Sequence, residues 1–156
     1  KRNSGIRVYQ GKKLKIVRDF SGKPQSVNAP LLYLLLDNGY VPVLTVPIID
    51  EHNTAINTEN DDVVRVLQKA LKADTVINLI EAAGFLENKE DASSLIESIP
   101  ASELAAREQQ VDGRMKRKML ALKKLFEQGA SRIIICDGRT QHPITDALAG
   151  KGTVIA

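Results

Sequence analysis

The stretch SRIIICD, Ser131 to Asp137, decides the fold. Four apolar residues, Ile133 to Cys136, stand in succession between a polar start and an acid. A run this short and unbroken reads as a strand covered on both faces, because a half-exposed strand alternates apolar and polar residues. Its flanks agree. Upstream, residues 113–128 read as a long helix that ends at Gly129, where glycine accommodates the left-handed turn of a helix C-terminus. Downstream, HPITDALAG (142–150) reads as a short helix and GTVIA (152–156) as a last strand.

The same alternation extends back along the chain. SVNAPLLYLLLDNG (26–39) predicts a helix with Asn28 as its cap, Pro30 in its first turn and Gly39 as its stop. YVPVLTVPII (40–49) predicts a buried strand that breaks at Pro47. A polar loop (50–61) leads into the helix DVVRVLQKALKA (62–73), the strand DTVINLI (74–80) and the loop EAAGFLENKED (81–91). Residues 90–110 are acidic and serine-rich, with short helical pieces expected around Ser94 and Ser102. GIRVYQGKKLKIVRDF (5–20) has the alternation of a hairpin, with Ile6, Val8, Leu14 and Ile16 around QGKK. The expectation is therefore an α/β protein. It is a three-layer α/β/α sandwich with a mostly parallel sheet, a single domain over 1–156, carrying a basic hairpin over 1–23. A sheet domain that opens on an exposed hairpin lacks a first strand of its own, so the sequence also suggests the later part of a larger protein.

Composition bounds the chemistry. At 156 residues, with 43% apolar and 26% charged residues, the chain fits one well-buried globular domain. No apolar run reaches bilayer-spanning length and no secretory leader is expected. Cys136 is the only cysteine, which excludes a disulfide framework and points to a reducing, cytoplasmic setting. One cysteine and two histidines leave no basis for a zinc site. The net charge of +3 is unevenly spread. Residues 1–23 hold eight Lys or Arg against one acid, while the remainder carries a net −4. Such a patch suits an acidic partner, either nucleic acid or protein, and equally a solvated hairpin. Tyr9 and Phe20 alone are too few for a base-stacking platform, so nucleic acid ranks last.

In open α/β sheets ligands sit beyond the carboxyl ends of strands, near helix N-termini. Three stretches fall there. INTEND (56–61) precedes a helix; capping by Asn60 or Asp61 explains one of its polar residues and, on spacing alone, is the favoured reading. A functional reading gives Asn57 an amide for a substrate and makes Asp61 a buried acid that keeps nearby lysines charged. In LIEAAGFLENKED (79–91), Gly84 follows a strand among small residues and could admit a nucleotide close to the backbone. In DGRMKRKML (112–120), basic residues crowd the start of a helix, where the helix dipole favours acids. Free N–H groups and cationic side chains together favour an anion, and a polyphosphate fits best. The plain alternative is that Lys116 and Arg117 point to solvent. Lys118 and Arg114, four apart, share a face, while Met115, Met119 and Leu122 form the apolar one. No G-x-x-x-x-G-K-[ST] and no G-x-G-x-x-G after a strand is present, and His52 and His142 lie in polar loops.

Together these stretches resemble the second half of an amino acid kinase family protein. NTEND places Asn57 and Asp61 at the first and last positions of that family's N-x-N-A-D. IEAAGFL (80–86) stands where the family has [ST]-D-V-x-G-[ILV], and Gly113, Met115 and Lys118 match G-x-M-x-x-K. Within the family, GRMKRKML (113–120), DGRTQHPITDALAGKGTVI (137–155) and FSGKPQSVN (20–28) resemble one branch in particular. That branch phosphorylates aminoadipate or glutamate on an amino-group carrier protein; N-acetylglutamate kinases are close relatives. Two departures stand out: Ile80 and Glu81 replace the Ser/Thr–Asp pair, and Glu59 replaces a small or amide residue.

The resemblance implies ATP-dependent phosphorylation of a side-chain carboxylate to an acyl phosphate, with the family's first half outside this chain. It implies catalytic roles for Lys118, which would stabilise transferring charge, and Asp61, which would orient it, with Asn57 on the substrate. It implies nucleotide contacts from Glu81, Ala82, Ala83, Gly84, Phe85, Leu86, Gln110, Val111, Asp112, Gly113 and Met115. Mg²⁺ would be held by ATP and water, with no protein metal site. The implied partners are a second copy of the chain, as a homodimer, and a small acidic carrier protein docking on Arg7, Lys12, Lys13, Lys15 and Arg18. Neither a membrane nor a nucleic acid is implied. N-acetylglutamate phosphorylation and a non-catalytic nucleotide-binding module are the alternatives.

Overall fold

The computed structural model describes residues 5–17, 20–88, 90–91, 93–110 and 113–156. They form two compact units, Lys1–Leu71 and Lys72–Ala156.

The first unit opens with the expected hairpin of β1 (Ile6–Gln10) and β2 (Lys13–Val17). Gly11, at φ +60°, makes the tight turn. The register pairs Arg7 with Ile16, Val8 with Lys15 and Tyr9 with Leu14. Directly opposed residues share a face, so Val8 lies with Lys15 while Leu14 and Ile16 lie with Tyr9 and Arg7. The apolar alternation read from the sequence is thus split between the two faces, and Val8, Tyr9, Leu14 and Ile16 are all exposed.

Helix α1 (Ala29–Asp37) follows as its punctuation predicts. Asn28 Oδ1 accepts from the Leu31 N–H at 3.1 Å, Pro30 sits in the first turn, and Gly39 takes φ +81° just past the end. Only Leu32 of this helix is buried. The strand predicted over 40–49 does not form: residues 41–47 are irregular, and Val41 and Val43 are 85% and 90% exposed. The run has core-strand chemistry, yet a strand exists only when a neighbour takes its N–H and C=O groups. Pro42 and Pro47 further remove two donors. What pairs is β3 (Ile48–Ile49) with β4 (Ala55–Ile56), antiparallel, around a turn in which Asp50 Oδ1 accepts from the His52 and Thr54 N–H groups. Helix α2 (Asn60–Leu71) closes the unit and buries Val66 and Gln68. The Tyr33 hydroxyl donates to the Ala70 and Leu71 carbonyls at its end.

The second unit is built on a four-stranded sheet. Its elements are β5 (Thr75–Ile80), β6 (Ser98–Ile99), α3 (Leu104–Gln110), α4 (Gly113–Glu127), β7 (Arg132–Asp137), α5 (Pro143–Leu148) and β8 (Thr153–Ile155). The strand order is β5-β7-β8-β6. β5 runs parallel to β7 and β6 parallel to β8, while β8 runs antiparallel to β7. The mostly parallel sheet is therefore observed, with one reversal. Helix α5 spans only about 9 Å, against about 20 Å for β7, so it does not carry the chain back to the start of β7. Strand β8 accordingly enters from the far end.

The core confirms how SRIIICD reads. Ile133, Ile134 and Ile135 are fully buried and Cys136 nearly so, which covers both faces of β7. Ile134 and Cys136 pack with Ala147 of α5, joined by Ile77 and Val154. Helix α4 buries Met119, Leu122 and Leu125, which keeps the apolar face expected of it. Among the described residues around Ser94 there is no helix, and a bridge between Leu86 and Leu95 closes the excursion. The helical piece at Ser102 is present as a 3₁₀ turn, Ala101–Glu103, leading into α3. The two-residue β6 had no periodic signal, and its pairing with β8 is entirely long-range.

Candidate functional site

The second unit presents its loops at the carboxyl ends of β5 and β7. The ladder runs one step further there, with the Gly138 N–H donating to the Ile80 carbonyl at 2.8 Å. The loop after β5 exposes Glu81 and Ala83, half-buries Ala82 and Leu86, and buries Gly84 and Phe85. Gly84 has a specific reason to be glycine. A Cβ there would stand 2.6 Å from Thr153 Oγ1 and 2.9 Å from the Thr153 nitrogen. Its missing side chain therefore serves the approach of β8. The Phe85 N–H donates to Thr153 Oγ1 at 2.7 Å, and that hydroxyl donates to the Ile96 carbonyl at 2.7 Å.

Beside this loop, at the end of β7, Arg139 grips Asp137 through two side-chain hydrogen bonds of 2.8 and 2.7 Å. These bonds, with the Arg139 backbone N–H, hold the Asp137 carboxyl at about 2. The Arg139 guanidinium is raised chiefly by its bonds to Asp137, with Glu81 adding an attraction. Lys151 pairs with Asp146 at 2.7 Å, and hydrogen bonds from Lys151 and Thr140 lower that carboxyl. The sequence reading left out Asp137, Arg139 and Thr153. All three lie in the stretch 137–155 that carries the resemblance, and the first two also stand at a strand's carboxyl end; the partners of Thr153, 57 and 68 residues away, had no local signal.

Helix α4 starts at Gly113, as expected, and carries Lys118 half-buried next to the buried Met119. Lys116 is half-buried rather than fully solvated. Gln110 ends α3; Met115 lies in the first turn of α4. Val111 and Asp112 lie outside the described residues, as does Arg18.

Asn57 and Asp61 belong to the first unit. The Asn57 backbone is tied to the 20–22 stretch: its N–H donates to the Phe20 carbonyl and its carbonyl accepts from the Gly22 N–H, at 2.8 and 2.9 Å. The side chain is left exposed. Two sequence readings are corrected here. Helix α2 begins at Asn60, so neither Asn60 nor Asp61 is its cap; the Glu59 carbonyl takes the Asp62 and Val63 N–H groups instead. Asp61 is exposed rather than a buried acid, because it stands in the open first turn where the helix dipole favours a carboxylate. Of the basic hairpin residues, Arg7, Lys12, Lys13 and Lys15 are exposed. The register puts Lys13 and Lys15 on one face and Arg7 on the other.

Among the described residues, no group of three or more His, Cys, Asp or Glu side chains is arranged to hold a metal ion. No helix there is long and apolar enough to cross a membrane.

The strand-end loops define a sheet protein with candidate ligand groups at the carboxyl edge of β5 and β7. The amino acid kinase family pattern matches residues 2–137, and the chain belongs to that family. It is 35% identical over 158 residues to a [LysW]-aminoadipate kinase of Thermus thermophilus, covering 99% of this chain and 59% of that protein. A [LysW]-aminoadipate kinase of Deinococcus radiodurans is 36% identical, covering 100% and 54%. An acetylglutamate kinase of Archaeoglobus fulgidus is 33% identical, covering 99% and 55%. The chain thus spans a little over half the length of these relatives. The fold is shared with N-acetylglutamate synthase from Neisseria gonorrhoeae, complexed with coenzyme A and L-arginine. That likeness has a TM-score of 0.78 at 19% identity, covering 99% of this chain and 36% of the synthase chain. It is also shared with carbamate kinase from Giardia lamblia bound to AMP-PNP, with a TM-score of 0.62 at 22% identity, covering 96% and 51%.

Proposed function

We propose that this chain is the nucleotide-binding part of an ATP-dependent kinase that phosphorylates the side-chain carboxylate of a carrier-linked aminoadipate or glutamate. The observation that carries the reading is similarity along essentially the whole chain to two [LysW]-aminoadipate kinases. The local chemistry supports it. Phosphoryl transfer asks a protein to hold and neutralise spreading charge rather than to form bonds of its own. Lys118, half-buried near the start of α4, is the residue for that task. The loop Glu81–Leu86 and the segment from Gln110 to Gly113 and Met115 border the nucleotide. In the first unit Asn57 is the candidate for the acceptor and Asp61 the candidate acid, each by its place in the family motif. Mg²⁺ would be bound through the nucleotide, with no residue of this chain assigned to hold it, and would help neutralise the phosphate charge.

The product is an acyl phosphate on the way to lysine or arginine, formed in the cytoplasm by a homodimer. The acidic carrier protein docks on the basic hairpin, where Lys13 and Lys15 share one face, Lys12 stands in the turn and Arg7 is exposed on the other face; Arg18 belongs to the same set by the resemblance alone. N-acetylglutamate is the alternative acceptor, supported by the likeness to the Archaeoglobus enzyme. The test offers the whole polypeptide that carries this chain three acceptors, with ATP and Mg²⁺. They are carrier-linked aminoadipate, carrier-linked glutamate and N-acetylglutamate, with acyl phosphate trapped as the hydroxamate. Turnover on a carrier-linked acceptor supports the proposal. Turnover on N-acetylglutamate alone moves the assignment to the alternative, and nucleotide binding with no turnover on any of the three leaves a non-catalytic module.

A further inference from the structure

The residue that shapes the β5 loop is not in the loop. We infer that Thr153 is a positioning residue for nucleotide binding, acting by closing the neck of the excursion that runs from Phe85 to Ile96. This rests on the reading of Glu81–Leu86 as a nucleotide loop. Thr153 is completely buried, and its single hydroxyl serves both ends of the excursion. It accepts from the Phe85 N–H and donates to the Ile96 carbonyl, each at 2.7 Å. A third bond, from the Ile96 N–H to the Phe85 carbonyl at 2.8 Å, lies across the same neck. A hydroxyl has one donor and two acceptor sites, so this geometry uses it as both at once. No apolar side chain of the same shape does that.

Two glycines allow the arrangement. At Gly84 a Cβ would collide with Thr153 Oγ1, its backbone nitrogen and Leu95. Gly152 takes φ +102°, and a Cβ there would collide with the Ile135 carbonyl and with Cys136. The first lets the loop lie against β8, and the second lets β8 lie against β7. The exposed residues of the loop, Glu81 and Ala83, are therefore held in place from beneath by the chain's last strand. A buried polar hub of this kind fixes one backbone geometry, since each of its partners would be left unsatisfied by any other.

The test measures binding of AMP-PNP with Mg²⁺, and KM for ATP against kcat, in the whole polypeptide. Thr153→Val keeps the shape and removes both bonds; Thr153→Ser keeps both bonds. Thr153→Val should weaken AMP-PNP binding and raise KM for ATP tenfold or more, with Thr153→Ser within about threefold of the unaltered protein. Gly84→Ala attacks the same contact from the loop side and should likewise raise KM, which keeps the test alive if Thr153→Val does not fold. Ile134→Val, a core change elsewhere, should lower stability while leaving KM for ATP unchanged. Hydrogen exchange at the Phe85 amide should speed up in Thr153→Val and not in Thr153→Ser. Unchanged AMP-PNP affinity in both Thr153→Val and Gly84→Ala would overturn the inference alone. Failure of the unaltered protein to bind AMP-PNP would overturn the nucleotide reading, and this inference with it.

Discussion

Arg139 holds Asp137 by two parallel side-chain bonds, Nε to Oδ1 at 2.8 Å and Nη2 to Oδ2 at 2.7 Å, where β7 gives way to its loop. Because the Asp137 carboxyl is held at about 2, below its value in an unfolded chain, the folded state gains from the ionised form. That gain is fully present above about pH 4 and is lost as pH falls through the folded value. In Arg139→Ala the carboxyl should titrate upward toward the ordinary range, part of the way, since the backbone N–H of residue 139 still donates to it. Carboxyl-carbon NMR titration reads this directly. An Asp137 that still titrates near its original value in the variant would refute the assignment of cause.

Cys136 should be a poor nucleophile. Burial pushes its thiol up, and the charges of Asp146 and Asp137 push it further in the same direction. In the native protein at pH 8, labelling by a disulfide reagent such as DTNB should be slow; in guanidinium it should be immediate and stoichiometric. Rapid native labelling would mean that the β7–α5 packing opens readily.

The centre of that packing is Ile134. Truncation in Ile134→Ala removes buried methyl groups under α5 and should cost about 2–5 kcal/mol in urea unfolding. A loss below about 1 kcal/mol would show that the site collapses around the gap.

Val43 makes the opposite prediction for the 156-residue chain. At 90% exposure, Val43→Lys should shift stability by no more than about 0.5 kcal/mol. The buried strand that the sequence suggested would instead lose several times that amount. Denaturant titration of the two chains separates the cases.

Lys118→Ala should lower turnover of the whole polypeptide by about 10²–10³-fold, the scale of one lost electrostatic stabiliser, with little change in melting temperature. Lost stability with turnover per folded molecule preserved would assign Lys118 to packing beside Met119.

Much of this molecule was legible in local chemistry. SRIIICD read correctly as a strand covered on both faces, since an unbroken apolar run has no polar face to give to water. Helix α1 read correctly from Asn28, Pro30 and Gly39, because caps and stops act within a few residues. The end of β5 at Ile80 and the start of α4 at Gly113 also follow the strand and helix patterns on either side of the candidate loops. Residues 40–47 failed for the complementary reason: apolar content describes what a strand would bury, and only a neighbouring strand decides whether it forms.

The sequence by itself determined most of the element types and the family, because these depend on short-range pattern and motif spacing. Tertiary structure alone decided the reversed β8, the Arg139–Asp137 grip, the exposure of Asp61 and the hub at Thr153. The reversed β8 and the Thr153 hub depend on backbone far along the chain, while the Arg139–Asp137 grip, between residues two apart, depends on the turn that ends β7; apolar periodicity encodes neither. Thr153 states the difference most plainly: one hydroxyl on the last strand joins a nitrogen 68 residues away to a carbonyl 57 residues away.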